Sequence, residues 1–84
     1  MGGQFPPLSP SEVEEILKKA GFHLNRQDGS HFHWEGYIGG QRRLVTVDHL
    51  GGRMSEKYGP ELMRNMIRQS GISKKEFYSY RLKK

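Results

Sequence analysis

Two histidines near the middle of the chain are the residues best suited to chemistry. His31 follows Gly29-Ser30, and His33 comes two positions later. Metal-independent cleavage of RNA needs one group to take the proton from the 2′-hydroxyl and another to protonate the leaving 5′-oxygen. Imidazole, with a free pKa of about 6.5, can do either at neutral pH. From the spacing alone, an exposed strand histidine without a role is the better interpretation of His31.

The same pair also permits a metal site. His31 and His33 fall on one face of a strand, where His49 or Asp48 could complete a set of two histidines and a carboxylate. No motif defines the remaining ligands, so the pattern disfavours a metal. No cofactor is predicted.

Basic residues surround the predicted third strand and the long loop after it. They could contact phosphates and stabilise charge on a pentavalent phosphorus, although solvated surface charge is an equally good interpretation of each. Trp34 and Tyr37 could stack on bases, but the spacing favours the core for Trp34 and leaves Tyr37 open. The candidates for RNA contact are Arg42, Arg43, Arg53, Lys57 and Ser30.

The net charge indicates an anionic partner. The 84 residues carry 14 Lys and Arg against nine Asp and Glu, a formal charge of +5, and the pI is about 9.8. Residues 1–20 have a net charge of −1, and residues 21–84 have a net charge of +6. A small basic domain usually meets nucleic acid first and a membrane surface second. A merely soluble basic protein is the alternative that composition leaves open.

Length and composition exclude several other classes. The length is that of one small domain. The chain has no cysteine, which excludes a disulfide framework, thiolate catalysis and a zinc site built on sulfur. It shows no secretory signal and no apolar stretch long enough to span a bilayer. We therefore expect a cytoplasmic protein without a membrane partner.

The first helix is predicted from its capping residues and apolar spacing. Ser9 can cap the helix, Pro10 suits the first helical position, and Glu12 completes a capping box. Gly21 can close the helix in the left-handed conformation. Apolar residues at i, i+3, i+4 and i+7 predict a helix over about 10–20. They are Val13, Ile16, Leu17 and Ala20.

Three strands are predicted next from the alternation of apolar and polar residues. A turn at 27–30 separates the first two, and Gly36 with Gly39-Gly40 marks the second reversal. In the third strand Val45 and Val47 point inward. The strands lie within 22–25, 31–34 and 43–47.

A second long helix opens at Gly59-Pro60-Glu61 and closes at Gly71, and a short last helix follows a capping box at 73–76. The order is therefore α-β-β-β-α. It predicts a two-layer α+β fold in which a three-stranded antiparallel sheet carries both long helices on one face. Alternation leaves His31 and His33 on the other, open face. We expect a flexible leader at 1–9, a single domain at 10–80 and a basic tail at 81–84.

Several short motifs follow one another in a recognisable order. Gly29-Ser30-His31 and the later run Arg-Gln-Ser-Gly-Ile-Ser at 68–73 are the most specific of them. The others are Lys19-Ala20-Gly21-Phe22, Leu44-Val45-Thr46-Val47-Asp48-His49 and Glu76-Phe77. Together, over about residues 10–79, they resemble the HicA family of toxins, the mRNA interferases of HicA–HicB toxin–antitoxin systems.

The resemblance implies a fold like the double-stranded RNA-binding domain and metal-independent endoribonuclease activity on mRNA. It also implies a HicB-type antitoxin, which we expect to cover the face that carries His31. The histidine of the family's Gly-Ser-His element is catalytic, and this role falls on His31. His33 and His49 are candidates for a second proton carrier. Asp48 departs from the family's pattern, in which proline commonly precedes the histidine after the third strand, and a carboxylate there could repel RNA phosphate.

Two interpretations of other classes stay open. A non-catalytic RNA-binding module of the same fold would use the basic surface, and His31 would be incidental to it. A protein–protein adaptor that acts only through an antitoxin-like partner would have no affinity for RNA. The intact Gly29-Ser30-His31 element favours the enzyme, because binding alone does not need it.

Overall fold

A computed structural model of the chain describes residues 5–82, without the side chain of Leu82. Positions 1–4 of the expected leader and 83–84 of the expected tail lie outside the described residues. The order of elements is the predicted α-β-β-β-α, followed by a short third helix. The elements are α1 (Pro10–Lys19), β1 (His23–Asp28), β2 (His31–Ile38), β3 (Gln41–Asp48), α2 (Pro60–Ser70) and α3 (Lys74–Ser79), with 3₁₀ turns at Leu50–Gly52 and Tyr80–Leu82.

The first helix begins where its capping box predicts. The Ser9 hydroxyl accepts a hydrogen bond from the Glu12 N–H at 3.4 Å, and the Glu12 carboxylate accepts one from the Ser9 N–H at 2.9 Å. This reciprocal pair satisfies two backbone donors that have no partner inside the helix. Val13 and Leu17 on the apolar stripe are fully buried. The bounds of α1 agree with the prediction to within one residue.

The three strands form the predicted antiparallel meander, in the order β1-β2-β3. The first turn is tighter than predicted, since β1 continues to Asp28 and only Gly29 and Ser30 connect it to β2. Gly29 has a φ of +62°, which favours glycine. His31 at the start of β2 consequently pairs with Asp28 on one side and with Asp48 of β3 on the other.

Gly36 does not mark a reversal, and that prediction was wrong. It lies inside β2, beneath the ring of Phe22. A Cβ atom at Gly36 would lie 2.7 Å from Cγ of Phe22, which is too close for any real contact. The glycine therefore provides space for an aromatic ring, and the reversal is made by Gly39 and Gly40, both with positive φ.

All helices pack on one face of the sheet, as predicted. Trp34 of β2 and both Val45 and Val47 of β3 point into the core that the helices cover. The N-terminal segment joins this core before α1 begins, because Leu8 is fully buried and its carbonyl accepts the Tyr58 N–H at 2.8 Å. No helix within residues 5–82 is long and apolar enough to cross a membrane. The opposite face of the sheet, which carries His31 and His33, is called the open face below.

Candidate functional site

His31 lies on the open face at the start of β2. Its side chain is 55% exposed, and its Nε2 atom lies 3.9 Å from Oδ2 of Asp48. This separation is too long for a hydrogen bond but within the range of an ion pair. The imidazole is thus accessible to a molecule on the open face while a carboxylate stands beside it.

Asp48 is held in place by the loop that follows β3. Its Oδ1 atom accepts the Leu50 N–H at 2.9 Å, which leaves Oδ2 directed towards His31. Its backbone carbonyl accepts a hydrogen bond from the Tyr58 hydroxyl. Burial, together with the carboxylates of Asp48 and Glu14, raises the pKa of Tyr58, so the phenol remains a donor throughout the neutral range. The carboxylate beside His31 is therefore a positioned group.

His33 lies on the same face, two residues further along β2. Its Nδ1 atom lies 3.0 Å from the Thr46 hydroxyl of the neighbouring strand. Two residues along a strand span about 7 Å, so a phosphate group fits between the two imidazoles. Of the two candidates for a second proton carrier, His33 and His49, only His33 shares the open face with His31.

His49 lies on the other side of the sheet. Its Nε2 atom is 2.6 Å from Oε2 of Glu14 on α1, and its ring stacks on Phe32 with centroids 3.6 Å apart. The same Glu14 oxygen accepts the indole N–H of Trp34 at 3.0 Å. The side chains of His49 and Glu14 are only 18% and 13% exposed. The structure does not bring His49 together with His31; it places His49 in a cluster that joins α1 to the sheet.

Alternation along β3 is the signal that could have located His49. Val45 and Val47 point to the helices, and His49 comes at the next position of the same parity. Arg43 has that parity as well, and its guanidinium lies against Gly71 at the end of α2. The Nε atom of Arg43 is buried without a hydrogen-bond partner in the described part of the chain. Arg43 therefore also lies away from the open face.

Arg42, next to it, is on the open face but is engaged by a carboxylate. It forms a hydrogen-bonded ion pair with Glu35, which also lies 3.5 Å from Nε2 of His23. The hydrogen bond with Arg42 holds the pKa of Glu35 below its ordinary value, and the same bond raises the pKa of Arg42. Arg42 would have to exchange this partner in order to bind phosphate.

The two predicted cations of the long loop are also paired. Arg53 lies 3.2 Å from Glu56 and donates to the Leu50 carbonyl at 2.9 Å. Lys57 donates to the Glu12 carboxylate at 2.8 Å. The remaining candidate, Ser30, sits in the β1–β2 turn, where its carbonyl accepts the His49 N–H at 2.8 Å.

The open face presents groups that are suited to proton transfer. An exposed imidazole beside a fixed carboxylate is suited to general acid–base catalysis. Within residues 5–82, no group of three or more His, Cys, Asp and Glu side chains is arranged to hold a metal ion. Sequence reasoning did not place two carboxylates that the structure brings close to the histidines. Asp28 of β1 lies opposite His31 in the strand register, and Glu14 of α1 contacts His49.

The fold and the open face define a small α+β domain whose helices cover one side of the sheet and whose other side presents a histidine. Comparison with protein-family models gives a match to the HicA toxin of bacterial toxin–antitoxin over residues 10–72. The chain therefore belongs to the HicA toxin family. No curated protein matches the chain. Membership makes it the toxin component of a toxin–antitoxin system, for which an antitoxin partner is implied, and the fold is that expected from the resemblance.

Proposed function

We propose that this toxin is a metal-independent endoribonuclease that cleaves mRNA, with His31 as its catalytic histidine. The observation that carries the proposal is the exposed imidazole of His31 beside Asp48, on the face of the sheet without helices. In the HicA-like Gly-Ser-His element this is the position to which the resemblance assigns catalysis. No other histidine of the chain combines that motif with an open position.

The reaction requires two proton transfers. The 2′-oxygen attacks the phosphorus as its proton is removed, and the bond from phosphorus to the 5′-oxygen breaks as that oxygen is protonated. His31 acts as the base or the acid in these steps. We assign the second role to His33 rather than to His49, because His33 shares the open face whereas His49 is enclosed by Glu14 and Phe32.

Phosphate contact is assigned to the exposed cations among the candidates that the sequence predicted. Arg42 is 52% exposed and lies on the open face, and Arg53 in the loop after β3 is 69% exposed. Each is paired with a single carboxylate that an incoming phosphate can replace at the surface. Lys57 is 53% exposed and is likewise paired with one carboxylate, that of Glu12, so it remains a candidate for phosphate contact. Arg43 packs against Gly71 and is assigned no contact.

The same face fits a HicB-type antitoxin. Tyr37 and Leu44 lie on it and are 67% and 43% exposed. Exposed apolar side chains of this kind mark protein contacts, and a protein seated on them would cover His31. Inhibition would then follow from exclusion of the RNA.

The direct test is cleavage of mRNA by the purified protein in EDTA, with His31→Ala and His23→Ala as matched variants. His23 is an exposed histidine near the far end of the open face, with its side chain 66% exposed. We expect His31→Ala to lose more than about 100-fold in rate and His23→Ala to keep the activity. Both readouts are made on protein whose circular dichroism matches that of the wild type.

Two results contradict the proposal. Equal cleavage by the wild type and His31→Ala would assign the activity to another group. RNA binding with a steep salt dependence and no product would make the protein a non-catalytic RNA-binding module instead.

A further inference from the structure

A concave surface lies among the helices, on the side of the sheet opposite the open face. It is a cavity of about 480 Å³ between the N-terminal segment, α2 and α3. That volume lies in the range of ligand-binding clefts. The lining, called the helix groove below, is mainly apolar and aromatic and consists of Phe5, Pro7, Tyr58, Pro60, Met63, Arg64, Ile67, Lys74 and Tyr78.

The polar groups that remain available in the helix groove are both cationic. Arg64 and Lys74 form no ion pair with any residue within 5–82. The Lys74 ammonium lies 4.8 Å from the centre of the Phe5 ring, over an aromatic face rather than against a carboxylate. The hydroxyl groups of Tyr58 and Tyr78 are occupied, because they donate to the carbonyls of Asp48 and Pro6.

We propose that the helix groove binds an acidic segment of a partner protein. An apolar side chain of that segment would enter the cavity, and its carboxylates would pair with Arg64 and Lys74. The charges are complementary, since both free groups at the groove are positive and the whole chain carries +5. Depletion of other charged groups around an apolar centre is the pattern of protein interfaces.

RNA fits the helix groove less well. Single-stranded RNA is held by aromatic faces on which bases stack and by rows of cations along the backbone. Here Tyr58 and Tyr78 are 3% and 8% exposed, so their rings form the floor of the groove and offer no open face. The ring of Phe5 packs edge-to-face against that of Tyr78, with ring centroids 5.1 Å apart, and its face lies beneath the Lys74 ammonium. Two cations over an apolar floor favour a peptide.

The helix groove and His31 lie on different faces of the domain. Apart from Tyr58, which precedes α2 and donates to the Asp48 carbonyl, the groove residues belong to the helices and the N-terminal segment, whereas His31 lies on the sheet face that carries no helix. A segment bound in the groove leaves the open face free. The proposal therefore stands independently of whether His31 cleaves RNA.

The test is fluorescence anisotropy with a short labelled peptide of Asp and Glu around a central Leu. The binding variant is Arg64→Glu with Lys74→Glu, and the matched control is Arg68→Glu with Lys75→Glu. The control makes the same change of net charge on the same two helices, outside the groove lining. We expect the binding variant to weaken affinity at least about tenfold, and the control less than about threefold.

A second peptide with the Leu replaced by Ser is expected to bind more weakly than the first, because the cavity then stays unfilled.

A variant with both cations neutralised, Arg64→Gln with Lys74→Gln, should lose an intermediate amount of affinity. It provides a second test if the charge-reversed variant does not fold. Equal weakening by the binding variant and the control would show non-specific charge attraction and overturn the proposal. So would unchanged peptide binding by the folded binding variant.

An RNA oligonucleotide in the same titration distinguishes the other occupant. If the binding variant loses affinity for RNA and keeps affinity for the peptide, the helix groove is a nucleic-acid contact and the proposal is wrong. His31→Ala is expected to bind the peptide like the wild type. Failure of RNA cleavage therefore leaves this result unaffected.

Discussion

The immediate neighbours of His31 and His49 suit these two histidines to different roles. His31 has one carboxylate at 3.9 Å and open solvent around it. His49 has a carboxylate at 2.6 Å and an aromatic ring at 3.6 Å, so both its edge and its face are occupied. A proton carrier must reach the substrate, and only the first arrangement permits this. The second arrangement is one that stabilises a fold.

Asp48 opposes the proposed reaction in one respect. Its carboxylate, fixed by the Leu50 N–H beside the imidazole of His31, repels an approaching phosphate. A proline in this position, which the resemblance leads one to expect, would not. This chain therefore has a more acidic surrounding for its central histidine than the family pattern implies.

His49→Ala is expected to lower the free energy of unfolding by about 2–4.5 kcal/mol. It removes a hydrogen bond to the largely buried Glu14 carboxylate, worth about 1.5–3 kcal/mol, and a ring contact with Phe32, worth about 0.5–1.5 kcal/mol. Urea denaturation measures the change. His23→Ala, at an exposed site, should cost under about 0.5 kcal/mol. Equal losses in the two variants would show that the His49 cluster contributes no special stability.

At the level of elements, β2 depends on a glycine that makes room for the residue after α1. The ring of Phe22 packs where a side chain at position 36 would stand. Phe22 is itself 4% exposed and belongs to the core. The strand β2 carries His31 and His33 near its start, and near its end it packs at Gly36 against Phe22 of the α1–β1 connection.

Gly36→Ala is expected to destabilise the protein by about 1–3 kcal/mol, because the added methyl group forces the Phe22 ring or the strand to move. Thermal unfolding followed by circular dichroism measures it. Gly59→Ser is the control: it adds a side chain at a helix N-cap where nothing lies within 4 Å of the new Cβ, and should change stability by a few tenths of a kcal/mol. A neutral Gly36→Ala would mean that Phe22 relaxes freely.

The elements could be predicted from sequence because their signals are local. The Ser9–Glu12 capping box and the alternation in β3 each lie within a few residues. The same alternation could also have predicted that Arg43 and His49 point towards the helices, because both share parity with the buried Val45 and Val47. By contrast, the Glu35–Arg42 pair and the neighbours of Gly36 depend on strand register and on packing between distant residues. A sequence pattern does not contain those contacts.

At the scale of the whole molecule, the charge surplus does not lie on the open face. That face carries Arg26 and Arg42 against Asp28, Glu35 and Asp48. Among residues 5–82, the cations without a carboxylate partner lie mainly on the helices: Lys18, Lys19, Arg64, Arg68, Lys74 and Lys75. The net charge of +6 over 21–84 indicated an anionic partner but could not locate it, because composition carries no information about faces. The same net charge is compatible with one anionic partner or with two partners on opposite sides of the domain.

Glu12 joins three distant parts of the chain. It completes the capping box of α1, pairs with Lys57 of the long loop at 2.8 Å, and lies 3.7 Å from Arg81 near the C-terminus. Burial raises the pKa of Glu12, but the hydrogen bonds with Lys57 and Ser9 outweigh it, so the pKa lies below its ordinary value of 4.5. A carboxyl group with a lowered pKa stabilises the fold above its unfolded pKa, and this contribution is lost as the pH falls through the folded pKa.

Glu12→Gln is therefore expected to be less stable than the wild type at neutral pH, by up to about 1 kcal/mol for a pair this exposed. The amide can still accept the Ser9 N–H, so the substitution tests the charge and leaves the capping box in place. The difference should shrink as the pH falls below 4.5 and vanish once Glu12 is protonated in the folded protein. Urea unfolding at a series of pH values measures it, with Glu15→Gln, an exposed α1 residue without an ion pair among those described, as the control. A difference that stays constant with pH would show that packing of the side chain, rather than its charge, ties α1 to the loop and the C-terminus.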